Sequence, residues 1–295
     1  MDTLWERTQT PNLHERWDIR FTEIEYLPRP DPTKPQRFLY ATRIGFGLRI
    51  KGQGESVAER LTDQSRTSSL RFWSDDPRSL IAKGSGYWKY VPTEDGIRFF
   101  TGYNYRTRLG LFGRALDLVF RPLMGWATAW GFDCLRLWIE RGIKPENSIE
   151  RSLTHAACRA SLAAVWLYQG IVPKLLFGET SGELDTIRAS GLFEGAERTA
   201  LYSAGVVEIL FGLALLIWWR ARSLLLVVIA VLILLGVAAA LAEPPILARQ
   251  FNPVTLNLSM IALAAVGWRA SRDLPSAANC LRQPPESRAQ EGHGP

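Results

Sequence analysis

The sequence predicts an α+β chain, with an antiparallel sheet and a long helix in its first half and an all-α bundle of four transmembrane helices in its second half. Two observations lead to this division. Charged and aromatic residues are mixed throughout the chain up to about residue 150, whereas four long apolar segments separated by short polar loops follow. The change falls within residues 140–148, where Gly142 and Pro145 indicate a linker.

Five segments rich in aromatic and β-branched residues predict the strands of the sheet. They cover residues 20–27, 37–56, 66–74, 79–92 and 96–108, with Pro, Gly and Asp turns between them. Residues 111–140 then predict a helix that Pro122 should kink or split. Its apolar residues recur at three- and four-residue steps, as on the buried face of a helix. They are Phe112, Leu116, Val119, Leu123, Trp126, Trp130, Leu137 and Trp138.

The four apolar segments predict membrane spans at residues 154–177, 199–219, 224–242 and 253–270. About 20 helical residues are enough to cross a bilayer core of about 30 Å. The third segment carries no charge and lacks the polar stripe that a helix of a soluble protein usually keeps. We therefore favour membrane insertion over buried helices of a soluble core.

Basic residues flank the predicted spans asymmetrically. They precede the first span, separate the second from the third, and follow the fourth, so all lie on one side if the chain crosses four times. They are Arg136, Arg141, Lys144, Arg151, Arg220, Arg222, Arg269 and Arg272. The positive-inside rule predicts a multi-pass inner-membrane protein with both termini and the first domain in the cytoplasm. This orientation accounts for most of the net charge of +6, so we expect no nucleic-acid partner.

The termini and the cysteines add further expectations. Residues 1–18 contain no apolar core, so no signal peptide is predicted. Cys134, Cys158 and Cys280 are widely spaced, and this favours neither a disulfide framework nor a zinc or dithiol site. The tail at residues 273–295 is rich in Pro, Ser, Gln and Glu and is expected to be disordered.

Ionisable residues inside the spans are the first candidates for function, because a charge at the bilayer centre costs at least about 2.5–3.5 kcal/mol. Glu208 lies near the middle of the second span, and Arg159 lies about a third of the way along the first. We expect these two to form a buried pair that either fixes helix packing or handles a ligand or proton. In the alternative, Arg159 reaches back to the cytoplasm and Glu208 is neutral.

A second group of polar residues falls toward the outer side of the predicted bundle. It is either a set of interfacial caps or a shallow pocket open to the outer face. Its members are Gln169, Lys174, Glu243 and Asn257.

Three motifs carry a family resemblance for the second half: WLYQGIVPKLL at residues 166–176, GVVEILFGLALL at residues 205–216 and FNPVTLN at residues 251–257. In this order and spacing they resemble the DoxX-like family of four-helix membrane proteins, over residues 151–271. The resemblance implies an up-and-down bundle, with Glu208 at one of the family's recurring polar positions. The founding relatives are membrane subunits of a thiosulfate:quinone oxidoreductase, which implies a redox partner subunit for a chain without evident cofactor ligands.

The aromatic strands and the long helix of residues 1–144 resemble the helix-grip, START-like (SRPBCC-like) superfamily. This resemblance implies a cytosolic domain with an apolar pocket between sheet and helix. The chain departs from the usual pattern, because residues 28–36 are too few for two helices after the first strand. The candidate pocket residues, which would otherwise be ordinary packing residues, are Trp17, Arg43, Trp73, Trp88, Tyr103, Tyr105 and Trp130.

Three hypotheses for function follow. In the leading one, the cytosolic domain binds an apolar small molecule, a lipid or quinone, at the membrane. The second is a membrane subunit of a quinone-linked oxidoreductase, and the third is a small transporter that uses Glu208 and Arg159. No catalytic residues, metal ligands or dedicated cofactor are predicted, and we expect no enzymatic activity from the chain alone.

Overall fold

The computed structural model describes residues 1–45, 47–62, 65–242, 244–248 and 252–281. The chain forms two compact units. The first contains Met1–Glu146 and the returning segment that begins at Pro275, and the second contains Asn147–Leu274.

The first unit is built on a six-stranded antiparallel sheet in which the strands follow one another in the order of the chain. The strands are β1 (Glu23–Tyr26), β2 (Arg37–Gly45), β3 (Leu48–Thr62), β4 (Ser65–Trp73), β5 (Ile81–Thr93) and β6 (Gly96–Thr107). The antiparallel sheet is therefore confirmed. The predicted segment at residues 37–56 holds two strands rather than one, because the chain reverses at Gly47, whose positive φ of 76° suits glycine.

Two short helices that the sequence did not predict precede the sheet. They are α1 (Asp2–Gln9) and α2 (Pro11–Trp17). Helix α2 packs on the sheet through His14 and Trp17, whose rings meet Trp88, and α1 packs on it through Tyr90, a buried residue of β5. Its hydroxyl lies 2.7 Å from the Thr8 hydroxyl and accepts a hydrogen bond from Gln9 at 3.1 Å. Burial raises the pKa of Tyr90 to about 12, so it stays a neutral phenol inside this contact.

Alternation along the strands gives the sheet an aromatic face and a basic face. On the aromatic face, the rings of Phe38 and Phe72 cover Gly54 and Gly84 on neighbouring strands, so a side chain at either glycine would displace a ring. On the other face, many strand residues are exposed and several of these are basic, such as Arg71 and Lys83, although Ala41 is buried. The strand register is thus fixed by ring-on-glycine packing, because a shift by one residue would expose the rings.

Helix α3 (Gly110–Arg141) runs through Pro122 without a break, so the predicted split is wrong. It lies along β6 rather than across the middle of the sheet. Phe132 stacks on Phe99 with ring centroids 4.5 Å apart, and Phe120 meets Tyr105 at 6.2 Å.

The apolar stripe that we expected α3 to bury is exposed over the first half of the helix. The residues concerned are Phe112, Leu116, Val119, Leu123 and Trp126. Phe120, which lies outside the predicted stripe, makes the sheet contact instead. The buried side of this half of the helix was therefore predicted incorrectly.

The segment after the last long helix returns to the first unit. Asp133 of α3 accepts hydrogen bonds from the Ser276 backbone and the Asn279 amide, each at 2.8 Å. Residues Ala277–Asn279 form a 3₁₀ turn. The start of the predicted tail is therefore ordered, and its residues 282–295 lie outside the described residues.

The second unit is helical. Its elements are α4 (Pro145–Gln169), a π-helix (Gly170–Leu176), α5 (Glu183–Ser190), α6 (Glu197–Ile217), α7 (Ser223–Ala242), a 3₁₀ turn (Pro244–Ala248) and α8 (Pro253–Ala270). One buried apolar core draws residues from α4, α6, α7 and α8, including Leu162, Leu215, Val228 and Ala264. Two of the helices, α6 and α7, are long and apolar enough to span a membrane.

We predict that Asp18→Asn destabilises the sheet unit by about 3–5 kcal/mol, because it removes one partner of a buried ion pair. Asp18 binds Arg20 through two hydrogen bonds of 2.6 and 2.8 Å and His14 at 2.9 Å. Burial alone would raise the pKa of Asp18, but the attraction and hydrogen bonds of Arg20 outweigh it and lower this pKa well below its usual range. The native state therefore gains stability at pH values above about 4, and this gain is lost as the pH falls further.

Thermal unfolding of the full chain, followed by the amide I band of the β-sheet, measures this effect. Asp75→Asn is the matched control, since Asp75 is exposed. Equal melting temperatures for the two variants at pH 7, or a loss of the difference as the pH rises from 4 to 7, would contradict the prediction.

Candidate functional site

The candidate site of the second unit begins where α4 changes into a π-helix. This segment, Gly170–Leu176, contains Pro173 and ends one turn beyond it. Proline has no N–H to donate and crowds the carbonyl four residues earlier, which disfavours a continuing α-helix. Wider π turns of this kind occur frequently at functional sites. The π-helix contributes Lys174, whose side chain is largely buried.

Two glycines allow the π-helix and α6 to approach each other closely. A Cβ atom at Gly170 would lie 2.5 Å from the Gly205 carbonyl oxygen, and one at Gly205 would lie 3.0 Å from both the Gly170 carbonyl oxygen and Lys174 Cβ. Small residues at such a crossing let two helical backbones come together. About one turn further along the chain, each segment supplies an ionisable residue, Lys174 on one and Glu208 on the other.

Lys174 contacts two carboxylates at this crossing. Its Nζ lies 3.0 Å from Glu208 Oε2 and 3.4 Å from Glu183 Oε1, which comes from the first turn of α5. The side chains of Lys174, Glu208 and Glu183 are 10%, 15% and 35% exposed. Glu208 Oε2 is buried and, apart from the ion pair, has no hydrogen bond within the described ranges. We call these three residues the lysine–glutamate site.

The predicted Arg159–Glu208 pair is wrong. The buried guanidinium of Arg159 donates hydrogen bonds to the backbone carbonyls of Leu215, Trp218 and Ala221 at 2.5–2.8 Å. It thereby caps the end of α6, where unpaired carbonyls and the helix dipole favour a cation. Glu208 lies seven residues before Leu215, about 10 Å deeper along α6. The backbone is therefore the nearer set of acceptors for Arg159.

A buried histidine accompanies this cap. His155 lies one helical turn before Arg159 on α4. Its Nδ1 is 3.2 Å from the Gly267 carbonyl oxygen and its Nε2 is 3.3 Å from that of Trp219. His155 thus connects α4 to the ends of both α6 and α8. The i, i+4 spacing of His155 and Arg159 is the sequence signal that indicates their shared face.

The structure does not bring the predicted outer polar group together around Lys174. Asn257 donates to the Leu232 carbonyl at 3.3 Å and so links α8 to α7. Gln169 is the half-buried last residue of α4. Glu243 lies outside the described residues. Lys174 instead contacts Glu208, which we had assigned to a different group, and Glu183, which the sequence did not suggest.

The seven candidate pocket residues of the first unit do not share one pocket. Trp88, Tyr103 and Tyr105 lie on the aromatic face, whereas Arg43 and Trp73 lie on the basic face, as strand alternation requires. Arg43 pairs with Glu23 at 2.7 Å.

Trp17 and Trp130, the two helical candidates, are buried. Trp17 fills the space between α2 and the sheet, with ring centroids 6.2 Å from Trp88 and 5.9 Å from Phe132. These aromatic side chains pack against one another.

Among the described residues of the first unit, two open surface clefts are lined by mixed charged, polar and aromatic residues. One, of about 990 Å³, is bordered by charged residues such as Glu23, Arg49 and Asp76. The other, of about 660 Å³, is bordered by Arg71 and Lys83 and by two of the candidate pocket residues, Trp73 and Tyr105. The geometry therefore favours the lysine–glutamate site over the first unit as the candidate functional site.

Comparisons with known proteins agree with a membrane role for the second unit. Residues 163–265 match the DoxX-like family, so the chain carries a DoxX-like domain there, and the predicted resemblance is confirmed over that range. This range includes Lys174, Glu183 and Glu208.

An uncharacterized membrane protein, YndG of Bacillus subtilis (strain 168), is 50% identical over 173 residues, or 58% of this chain. The chain covers 64% of that relative, which is less than two thirds of its length. No solved structure matches the chain.

We predict that Arg159→Met costs about 1–3 kcal/mol of stability, because the carbonyls at the end of α6 lose buried donors. Arg151→Met, at an exposed position of the same helix, is the control and should leave stability unchanged. Unfolding of the detergent-solubilised chain by titration with SDS measures both.

The effects of Arg159→Met and Glu208→Gln should add within about 0.5 kcal/mol, since the two side chains share no contact. A larger coupling energy would contradict this prediction and would support a direct interaction between Arg159 and Glu208.

Proposed function

We propose that this chain is a four-span protein of the inner membrane, with both termini in the cytoplasm, and that it binds the head group of a quinone-class amphiphile at the lysine–glutamate site. The observation that carries the proposal is the sharing of one buried ammonium, Lys174, between Glu208 and Glu183 at a π turn. The first unit then remains attached at the membrane surface.

Chain connectivity supports an even number of membrane crossings. The chain leaves the first unit at Glu146 and re-enters it at Pro275, where Asp133 holds the returning segment. This connectivity supports placing both ends of the second unit on the same side of a bilayer. Helices α6 and α7 supply two spans, and the joint core with α4 and α8 favours four. The basic residues at the span ends favour the cytoplasm for that side.

The chemistry of the lysine–glutamate site suits a group that both accepts and donates hydrogen bonds. A lysine ammonium is a donor only, and an ionised carboxylate is an acceptor only. A quinone carbonyl can accept from Lys174, and a quinol hydroxyl can donate to Glu208 or Glu183. The site carries one positive and two negative charges, so its net charge disfavours a phosphate group.

The proposed ligand thus binds in the second unit, whereas the sequence favoured a pocket in the first unit. The START-like resemblance of residues 1–144 also stays a proposal, supported by aromatic strands that a long helix follows. A lipid or quinone pocket in that unit has little support, because its candidate residues are divided between the two faces of the sheet. A quinone site in the second unit suits either a protein that exchanges quinone with the membrane or the membrane subunit of a quinone-linked oxidoreductase that has a redox partner subunit.

Transport is a second candidate, because a partly exposed ion pair within a membrane unit can bind and release a proton. The pair to consider is Lys174 with Glu208, in place of Arg159 with Glu208. Under this alternative, Glu208→Gln abolishes a pH-dependent flux across proteoliposomes and leaves quinone binding unaffected.

We predict that Lys174→Met weakens binding of a short-tailed ubiquinone or menaquinone analogue to the full chain in nanodiscs by tenfold or more, equivalent to about 1.4 kcal/mol or more. Methionine keeps the length and apolar stem of the side chain while it removes the donor. Glu208→Gln should weaken the reduced form more than the oxidised form, since it removes the acceptor for the quinol hydroxyl. Isothermal titration calorimetry measures each affinity.

Lys144→Met, at an exposed lysine of the linker, is the matched control. Binding that is unchanged in Lys174→Met, together with a lower melting temperature, would show that the lysine–glutamate site only holds the helices together.

A further inference from the structure

The first half of α3 presents a broad apolar surface that no other described part of the first unit covers. Seven large apolar side chains between residues 111 and 126 are 43–81% exposed. They are Leu111, Phe112, Leu116, Leu118, Val119, Leu123 and Trp126. We call this set the α3 apolar face. Soluble monomers rarely expose contiguous apolar patches larger than a few hundred Å², and larger ones mark interaction sites.

The opposite side of the same helix accounts for its contacts with the sheet. Asp117 accepts a hydrogen bond from the Tyr105 hydroxyl at 2.5 Å, and Phe120 packs against the same ring. Arg121 pairs with Asp117 at 2.9 Å and lies 4.6 Å above the Tyr105 ring. Because this side is committed to β6, the α3 apolar face points away from the sheet.

The width of the α3 apolar face distinguishes between two occupants. Residues 112, 116, 119, 123 and 126 alternate in steps of four and three, as in the seam of a coiled coil. This pattern lasts only about two heptads, whereas a stable coiled coil usually needs three or four. Ala115 and Pro122 stand beside the seam, along with Leu111 and Leu118, at positions where a coiled coil usually carries charges. A broad apolar arc with few charges suits lipid better than a second helix.

The remaining exposed side chains of this helix complement an anionic membrane. Arg114 is exposed on the helix, and Arg106, exposed on β6, precedes it. Helices that lie in a membrane interface combine an apolar face with arginine or lysine at its edges, which reach the lipid phosphates. The first unit is joined covalently to both ends of the second unit. If the second unit lies in a bilayer, this connection keeps the local concentration of the first unit at that bilayer high.

We propose that residues 111–126 form an in-plane membrane-binding helix, which inserts the α3 apolar face at the acyl-chain boundary of an anionic bilayer. Arg114 then lies at the level of the lipid head groups. This inference is independent of the quinone proposal, because it uses neither Lys174 nor Glu208.

The test is photolabelling of the full chain in vesicles that contain phosphatidylglycerol and phosphatidylcholine, with a diazirine placed on a lipid acyl chain. After irradiation, peptide mapping by mass spectrometry locates the labelled residues. We expect label on the 111–126 segment as well as on α6 and α7, and less label on the 111–126 segment in pure phosphatidylcholine. Phe112→Glu combined with Val119→Glu should remove it from this segment while α6 and α7 stay labelled.

Leu61→Glu is the matched control, since Leu61 is an equally exposed apolar residue at the far end of β3. This substitution should leave the labelling of residues 111–126 unchanged. An unlabelled 111–126 segment beside labelled α6 and α7 would overturn the proposal. If chemical cross-links instead join this segment to the same segment of a second chain, its occupant is another copy of the protein, and the proposal is equally refuted.

Discussion

The cost of burying a charge away from water governs the arrangement of the second unit. An unpaired ion in an apolar environment is so unfavourable that it must find a partner or lose its charge. Arg159 meets this requirement with three carbonyls at the end of α6, and Lys174 meets it with two carboxylates. The two cations therefore hold different parts of the same helix, and each fixes how α4 or its π extension lies against α6.

The Arg159 cap and the lysine–glutamate site differ in the hydrogen-bonding groups that they leave available to a ligand. The Arg159 cap uses only backbone acceptors, and these exist wherever a helix ends. The lysine–glutamate site uses side chains, which can exchange one hydrogen-bond partner for another when a ligand enters. Ion pairs that only stabilise a helical bundle do not require a second carboxylate or a π turn. This difference is why the proposed ligand site is at Lys174 and not at Arg159.

Sequence reasoning succeeded where one local pattern decides the outcome. Aromatic alternation located the sheet, and uninterrupted apolar runs located α6 and α7. The reversal at Gly47 was missed because the apolar pattern continues on both sides of the glycine. The helices α1 and α2 were missed because they are short and polar, and their stability comes from contacts with residues such as Tyr90, which is more than 70 residues away in the chain.

The candidate site could be predicted only in part, because partner choice depends on depth and on backbone approach. Glu208 was singled out from its position in an apolar segment, but its partner was misassigned, because Glu208 contacts Lys174 and not Arg159. Lys174 reaches Glu208 because Gly170 and Gly205 bring the two segments into close contact. Gly205, one turn before Glu208, leaves room for the backbone that carries Lys174, since a Cβ atom at Gly205 would lie 3.0 Å from Lys174 Cβ.

The same reasoning explains why α3 was misread. Periodicity shows that a helix has an apolar face, but it does not show what covers that face. In a soluble domain the sheet is the natural partner, and we had assumed it. The sheet contact here uses Asp117, Phe120 and Phe132, so the stronger apolar face is left for another partner. In a chain with helices long and apolar enough to span a membrane, lipid can compete with the protein core for an apolar face. Burial inside the protein is then no longer the default reading of an amphipathic helix.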